Sequence, residues 1–259
     1  MNLNLAIDIC IQIVKAAGTT IMEIYQVDFV NTIEHKSDSS PLTQADLASN
    51  RVICEALRVA FPQIPILSEE EMDNVPREVE YCWIVDPLDG TKEFINRNGQ
   101  FTVNIGLVQN HKVILGVVGV PVTRDIYYAA KDIGAFKKTD YNVAPIKVTN
   151  KKNDLIWVGS RSHSSEKEYA LIERHQDQIV DILAAGSSLK GLMVAEGKAD
   201  IYYRFGYTCE WDTCAMQCIV EEAGGICQQM DGSDLLYNRD NHLNEKGFYI
   251  VNHKDNIWV

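Results

Sequence analysis

The chain has 259 residues, of which 46% are hydrophobic and 23% charged, and its formal net charge is -12 at pH 7. These values are typical of a soluble globular protein with a sizeable core, built as one large domain or two small ones. The negative charge argues against nucleic-acid binding through phosphate neutralisation. It also repels anionic substrates at long range, so local cations or metal ions must attract any such substrate.

The N-terminal stretch gives no sign of a signal peptide, because Asp8, Lys15 and Glu23 interrupt it and no basic segment precedes it. No stretch approaches the length of a transmembrane span. We therefore expect a cytoplasmic location, either free or peripheral on the cytoplasmic face of the inner membrane.

The seven cysteines are odd in number and scattered, which is typical of a reducing compartment. Cys209, Cys214 and Cys218 lack a C-x-x-C pair and have no nearby histidine, so a zinc site is disfavoured. Because Cys214 and Cys218 are four residues apart, we interpret them as small buried groups on one helix face.

The first half of the chain predicts two helices and an antiparallel sheet. Apolar residues at helical spacing predict a helix over 2–25, and T-Q-A-D at 43–46 predicts a capping box that opens a second helix. An extended segment at 30–34 and a polar loop at 35–40 lie between them. Short polar turns separate most of the later strands, which predicts a meander. The strands are expected at 64–67, 83–85, 101–109, 113–122, 126–130 and 135–137.

The second half alternates between the two kinds of element, which is the pattern of an α/β layer. Strands are expected at 155–158, 179–184, 199–205, 225–230 and 247–251. Helices are expected at 165–175, 187–196 and 212–223. We therefore divide the chain into an α+β layer over 1–148, which carries the main metal site, and an α/β layer over 149–259, which carries substrate-binding elements.

The region 83–94 reads W-I-V-D-P-L-D-G-T-K-E-F and predicts a buried strand, a tight turn and the first turn of a helix. Residues 83–85 favour a strand, which Pro87 and Gly90 end. Pro87 fixes φ between Asp86 and Asp89, so the turn that carries both carboxylates is stiff. Alone, D-P-x-D-G is also an ordinary turn; the flanking strand and helix and the other acidic motifs favour a functional site.

The residues that follow these acids suit an anion. Gly90 has no side chain, so a ligand atom can approach the backbone there. Thr91 can cap the following helix, whose free N–H groups form an anion site. Two carboxylates beside such a site repel each other and the anion unless a divalent cation lies between them. The stretch therefore indicates a phosphate bridged by Mg²⁺.

Three further acids have both a structural and a functional interpretation. Asp46 is the acid of the capping box, and a role near the metal is equally compatible with the sequence. Glu69 is the acid nearest the end of a short strand that can end at the same sheet edge as Asp86, although an acidic run there is usually a solvated loop. Asp212 stands where a helix begins, and a role as N-cap would explain it by itself.

Basic and polar residues of the second half suggest a binding pocket. Lys190 lies in the first turn of a helix and opposes its macrodipole, so a bound anion would relieve that conflict; a solvent-facing lysine is the alternative. Arg204 ends a strand and can add charge to the same pocket. The loop S-R-S-H at 160–163 follows a buried strand, a favoured place for ligand loops, although His163 by itself is more often an ordinary loop residue.

Together, S-E-E at 68–70, the 83–94 motif and W-D-T at 211–213 resemble the inositol monophosphatase superfamily of metal-dependent, lithium-sensitive phosphatases. The K-E-F continuation, S-R-S-H, G-S-S-L-K at 186–190 and Y-Y-R-F-G at 202–206 are similar to its CysQ branch, the 3'(2'),5'-bisphosphate nucleotidases. The likeness runs from the first helix to the last strand. It implies a layered αβαβα sandwich of the sugar-phosphatase type, with the active site between the antiparallel and the α/β layers.

The resemblance also implies roles for individual residues. The metal ligands would be Glu69, Asp86, Asp89 and Asp212 with the Leu88 carbonyl, holding two Mg²⁺ ions, or three. Thr91, backed by Asp46, would orient and help to deprotonate the attacking water, with Glu69 counted among the catalytic residues. The substrate would contact Gly90, Thr91, Ser187, Lys190 and Arg204, with His163 as a weaker candidate.

The implied reaction is removal of the 3'-phosphate of 3'-phosphoadenosine 5'-phosphate, extending to its 5'-phosphosulfate analogue, by in-line attack of water without a covalent intermediate. The partner would be this small nucleotide, with no nucleic acid. An inositol or sugar phosphatase with the same metal site is the alternative, and a non-catalytic nucleotide sensor is a more remote one. One departure is C-A-M-Q-C at 214–218, where the branch tends to have smaller residues, which questions the local packing.

Overall fold

The computed structural model describes residues 1–26, 34–35, 41–72, 75–160 and 165–259, and residues 34–35 and 41–42 through their backbone alone. Residues 30–33 of the predicted extended segment and 36–40 of the predicted polar loop lie outside this part of the chain.

The two predicted N-terminal helices are present. Helix α1 spans Leu3–Tyr25 and begins after Asn2, whose side chain accepts a hydrogen bond from the Leu5 N–H. Helix α2 spans Gln44–Ala60 and opens with the predicted capping box, with Thr43 as N-cap and Asp46 at the third helical position. A two-stranded ribbon precedes α2, formed by β1 (Glu34–His35) and β2 (Pro41–Leu42).

Helix α1 corrects one expectation from the sequence. Its 23 residues are long and apolar enough, by length and composition, to cross a membrane, although no stretch was expected to approach that length. Half of the apolar window is buried inside the protein, where Ile7, Val14 and Ile21 join a core cluster with strands of the large sheet. A helix buried in this way is typical of a protein core, and its composition is weak evidence for a membrane.

A seven-stranded sheet contains the predicted meander. Its strands are adjacent in chain order, β3 is parallel to β4, and all later pairs are antiparallel. The short helix α3 (Thr91–Ile95) follows β4. The strands are β3 (Ile66–Ser68), β4 (Tyr81–Asp89), β5 (Thr102–Gln109), β6 (Lys112–Val120), β7 (Asp125–Ala130), β8 (Gly134–Lys138) and β9 (Val143–Pro145).

A five-stranded mixed sheet and three helices form the second half, in the predicted alternation. The strands are β10 (Leu155–Ser160), β11 (Ile179–Ala185), β12 (Ile201–Arg204), β13 (Ile226–Gln229) and β14 (Phe248–Val251), in the spatial order β11-β10-β12-β14-β13. The helices are α4 (Glu166–Arg174), α5 (Leu189–Ala195) and α6 (Glu210–Glu222), with 3-10 turns at Gln176–Gln178 and Lys254–Asn256.

The helices and the two sheets form five layers. Helices α1 and α2 cover one face of the seven-stranded sheet, and α6 packs on its other face. Helix α5 packs on α6 and on the five-stranded sheet, so both helices lie between the sheets. Helix α4 covers the outer face of that second sheet through Leu171, which packs with Trp157 and Tyr203. The αβαβα sandwich implied by the family resemblance is therefore present.

Glycines allow α6 to approach both of its neighbours closely. A Cβ on Gly116 of β6 would collide with the carbonyl of Ala215, and one on Gly191 of α5 would collide with Met216. Gly191 therefore leaves room for the large side chain of Met216, and Gly116 lets the backbone of α6 lie close to the sheet. Cys214 and Cys218 are free thiols buried on this helix, as interpreted from their spacing.

The two sheets divide at the polar stretch between β9 and β10, near the proposed boundary at 148/149. One core cluster nevertheless contains residues of both halves, such as Val118 of β6, Leu192 of α5 and Ile219 of α6. The division of the chain into two domains at this boundary therefore stays a prediction.

Candidate active site

One cleft lies where the seven-stranded sheet, α5 and α6 meet, and it contains most of the predicted site residues. Those that line it are Glu69, Asp86, Leu88, Asp89, Gly90, Thr91, Ser187, Lys190, Arg204 and Asp212. Asp46 lies directly behind Thr91. His163 lies outside the described residues.

Strand β4 continues further than predicted and carries both acids of the central motif. It pairs with β5 up to Asp89, with a register shift between Asp86 and Asp89, so the expected end of the strand at Pro87 is wrong. Proline has no N–H to donate, and an irregular ladder tolerates its absence. The Asp86 Oδ1 atom accepts the Leu88 N–H at 3.0 Å, and Ser49 Oγ donates to the Pro87 carbonyl at 2.7 Å.

Three carboxylates converge in the cleft. Asp86, Asp89 and Asp212 each offer one oxygen, and these atoms lie within 4.8 Å of one another. Burial raises the pKa of Asp89 above its ordinary value, and burial together with repulsion from Asp89 and Glu69 raises the pKa of Asp212. A divalent cation between the carboxylates would lower both pKa values, because it favours the charged form of each group. A donor set made only of oxygen atoms suits Mg²⁺. The donor chemistry therefore fits the metal, while the Glu69 carboxylate lies outside the three-oxygen set.

Asp212 is not the N-cap of its helix, as one interpretation of the sequence had it. Helix α6 begins at Glu210 with Cys209 as N-cap, so Asp212 is at the third helical position. Its Oδ2 atom accepts the Cys209 N–H at 2.6 Å, in the manner of a capping-box acid. Cysteine is an uncommon N-cap residue, which is why the sequence placed the start of the helix two residues late.

Asp46 contacts both the start of α2 and a residue that lines the cleft, while its role near a metal stays a prediction. Its Oδ2 atom accepts the N–H of Thr43 at 2.8 Å and the hydroxyl of Thr43 at 2.6 Å, which completes the cap of α2. Its Oδ1 atom accepts the hydroxyl of Thr91 at 3.1 Å. One buried carboxylate therefore stabilises a helix start and orients a hydroxyl that lines the cleft.

The predicted cap of α3 is wrong by one residue. Gly90, with φ of 95°, is the N-cap, and Thr91 is the first helical residue. This backbone conformation favours glycine, and a Cβ here would also lie 3.3 Å from the Ser187 Cβ. The Thr91 hydroxyl is therefore available to Asp46 rather than to the helix end.

Lys190 and Arg204 provide positive charge beside the acids, with 7% and 9% of their surfaces exposed. This burial contradicts the solvent-facing alternative for Lys190. Its Nζ donates to the Ser187 carbonyl at 2.7 Å and lies 5.5 Å from the centre of the Tyr202 ring. Burial lowers the pKa of Lys190 to about 8, against the opposing attraction of Asp89.

Helix α5 begins at Leu189, two residues later than predicted. Ser187 therefore precedes it, with φ of 43°, and its hydroxyl donates to the Gln100 carbonyl at 2.9 Å.

Sequence reasoning missed the residues that surround Asp89. Its Oδ2 atom accepts hydrogen bonds from Ser188 and Asn104, and the Thr102 Oγ1 atom lies 3.3 Å from it. Side chains two residues apart in a strand lie on the same face of the sheet, so the sequence could have predicted that Thr102 and Asn104 are neighbours. Nothing in the sequence indicated that Ser188, rather than Ser187, would contact this carboxylate.

The model of the inositol monophosphatase family matches residues 3–256. A 3'(2'),5'-bisphosphate nucleotidase CysQ of Salmonella typhimurium is 43% identical over 246 residues, which cover 93% of this chain and 97% of that protein. The CysQ of Escherichia coli K12 is 41% identical over 238 residues, covering 90% and 94%.

Among solved structures, CysQ from Bacteroides thetaiotaomicron is similar with a TM-score of 0.79 and 37% identity, covering 93% of this chain and 95% of that one. An inositol monophosphatase from Anabaena has the same TM-score of 0.79 at 27% identity, covering 99% and 95%. Similarity to these proteins in sequence and in fold therefore extends over nearly the whole chain. The chain belongs to the inositol monophosphatase family.

Proposed function

We propose that this protein is a Mg²⁺-dependent phosphomonoester hydrolase that converts 3'-phosphoadenosine 5'-phosphate to AMP and inorganic phosphate. The observation that carries this proposal is the cleft itself, where three converging carboxylates face two buried cations, Lys190 and Arg204. The carboxylates suit a metal-held phosphate, and the cations suit a second anionic group on the same substrate. The similarity to proteins named CysQ supports the same activity.

The metal site would be formed by five residues. Mg²⁺, as two ions or three, would lower the pKa of the attacking water and neutralise charge on the departing 3'-oxygen. The carboxylates of Asp86, Asp89 and Asp212 lie close enough together to share cations. Glu69 and the Leu88 carbonyl, which line the same cleft, complete the proposed ligand set.

Thr91 and Asp46 would activate the attacking water. Because the Thr91 hydroxyl donates its proton to Asp46 at 3.1 Å, its lone pairs are left to accept a hydrogen bond from water in the cleft. As that water attacks phosphorus, its proton would pass to Thr91 and the threonine proton to Asp46. The bond from phosphorus to the 3'-oxygen would break in the same displacement, and the departing oxygen would take up a proton from solvent water. The carboxylate of Asp46 is held for this purpose by Thr43 on its other oxygen.

The substrate would span the cleft from α3 to β12. The scissile phosphate is assigned to the backbone N–H groups of Gly90 and Thr91 at the start of α3, where a helix leaves such groups without intrahelical partners. The 5'-phosphate and ribose are assigned to Ser187, Lys190 and Arg204, and His163 stays a candidate for this side. The nucleotide substrate also fits the proposed cytoplasmic location, free or peripheral on the inner membrane.

A substrate panel on the purified protein tests the proposal. Phosphate release is measured from 3'-phosphoadenosine 5'-phosphate, its 5'-phosphosulfate analogue and myo-inositol 1-phosphate, each with Mg²⁺ and with EDTA. We expect Mg²⁺-dependent release with a clear preference for the nucleotides. Preference for the inositol ester would favour a sugar phosphatase with the same metal site, and calorimetric nucleotide binding without turnover at any Mg²⁺ concentration would favour a sensor.

A further inference from the structure

Asp89 is held by an unusually complete set of hydrogen-bond donors. Its Oδ2 atom accepts the Ser188 N–H at 2.6 Å and the Ser188 hydroxyl at 2.8 Å. The Asn104 Nδ2 and Thr102 Oγ1 atoms each lie 3.3 Å from the same oxygen. Ser188, Asn104 and Thr102 are almost fully buried, so water does not compete for these contacts.

The hydrogen bonds within this group have a defined direction. Asn104 Nδ2 donates to Ser188 Oγ at 2.8 Å, so the serine hydroxyl acts as acceptor there and keeps its own proton for Asp89. The alternative acceptor, the Asp212 carbonyl, is more distant at 3.3 Å. The Asn104 Oδ1 atom in turn accepts the Thr102 hydroxyl at 3.1 Å, which fixes the orientation of the amide.

The contacts also join the two halves of the protein at the metal site. Asp89, Thr102 and Asn104 belong to the seven-stranded sheet, whereas Ser188 is the N-cap residue of α5 in the second half. A carboxylate oxygen with this many donors has its lone pairs occupied, which leaves Oδ1 as the oxygen for a cation.

We propose that Ser188, oriented by Asn104, is a positioning residue that fixes the Asp89 carboxylate with Oδ1 toward the cation site. This inference rests on the Mg²⁺ site of the proposed function. Groups that orient metal ligands through hydrogen bonds commonly change metal affinity about 10–100-fold when they are removed. Removing the Ser188 hydroxyl leaves its backbone N–H in place, so we expect an effect at the lower end, about tenfold.

The chain contains a matched control for this arrangement. Thr149 Oγ1 donates to the buried carboxylate of Asp200, and Asn252 Nδ2 donates to Thr149 Oγ1 at 2.8 Å. In both places a hydroxyl donates to a buried carboxylate and accepts a hydrogen bond from an asparagine side chain. None of Thr149, Asp200 and Asn252 is among the described residues that line the cleft. Thr149→Ala should therefore lower stability without changing metal affinity.

The experiment measures Mg²⁺ affinity by titration calorimetry on the full chain after EDTA treatment and removal of EDTA. Ser188→Ala should raise the Mg²⁺ Kd about tenfold, Thr149→Ala should leave it unchanged, and Ser188→Thr, which keeps the hydroxyl, should recover most of the affinity. Thermal unfolding of the metal-free variants shows whether the two alanine variants are comparably destabilised. In the activity assay, Ser188→Ala should need more Mg²⁺ for half-maximal rate, and kcat should recover at saturating Mg²⁺.

The inference is overturned if Ser188→Ala binds Mg²⁺ like the wild type, or if Thr149→Ala loses as much affinity. The failure of the proposed function is recognised separately. Wild-type protein that binds Mg²⁺ and shows the variant pattern, yet hydrolyses no nucleotide, would contradict the nucleotidase activity and support the role of Ser188. Wild-type protein that binds no Mg²⁺ would overturn both.

Discussion

The two oxygens of Asp46 make separate contacts, so its structural and catalytic roles can be tested with two isosteric substitutions. Thr43→Val removes the hydroxyl that caps α2 and donates to Oδ2 of Asp46. Thr91→Val removes the hydroxyl that donates to Oδ1. Both variants keep the backbone N–H groups and nearly the same side-chain volume.

We expect similar losses of stability and very different losses of activity. An N-cap hydroxyl contributes about 1 kcal/mol and a single hydrogen bond a similar amount, so each variant should lower the Tm by about 2–4 °C. Loss of a proton-transfer group typically lowers the rate about 10²- to 10⁴-fold, or about 3–5 kcal/mol in activation free energy. That loss should fall on Thr91→Val alone.

The assay is steady-state phosphate release from 3'-phosphoadenosine 5'-phosphate at saturating Mg²⁺, with Tm from circular dichroism. Calorimetric Mg²⁺ titration of Thr91→Val should give the wild-type affinity, because Thr91 is not among the proposed metal ligands. Wild-type kcat in Thr91→Val, or an equal loss of kcat in Thr43→Val, would refute the transfer of a proton through Thr91 to Asp46.

Four further outcomes follow from the site. Asp89→Asn should remove most activity and Mg²⁺ binding with an unchanged far-UV spectrum, and a fully active variant would contradict the metal assignment. Lys190→Met should lower kcat/KM for the nucleotide about 10–100-fold, the value of a charge-assisted hydrogen bond, and change hydrolysis of myo-inositol 1-phosphate little; equal losses would count against the pocket. Calorimetric Mg²⁺ affinity should rise with pH, because protons on Asp89 and Asp212, whose pKa values are raised, compete with the cation. The metal-free protein should correspondingly lose stability in denaturant titrations as pH rises from the ordinary carboxyl pKa of 3.8 through the raised values, since the folded state binds these protons more tightly. A Kd or a stability independent of pH would refute this. Li⁺ should inhibit by displacing one Mg²⁺, as the family resemblance implies, and a rate insensitive to high Li⁺ would contradict it.

Local signals in the sequence predicted the elements and the central acidic motif. Periodicity placed α1, the meander and the later alternation, because side-chain spacing of 3.6 or 2 residues reflects which face is buried. The capping box at Thr43 and Asp46 was readable because its partners are three residues apart. Where the local signal was weak, the predicted ends of elements were wrong. Cys209 is an atypical N-cap of α6, and β4 continues past Pro87.

Only the tertiary structure decided which distant side chains meet. Asp86 and Asp212 come from a strand of one sheet and from a helix more than a hundred residues later, and nothing in either local pattern specifies their separation. The burial of Lys190 likewise depends on the packing of α5 between the sheets rather than on its place in the first turn. The contact between Ser188 and Asp89 could not be predicted from the sequence either, because it crosses the interface between the two halves. The sequence therefore determined the chemical groups of the site, and long-range packing determined their geometry.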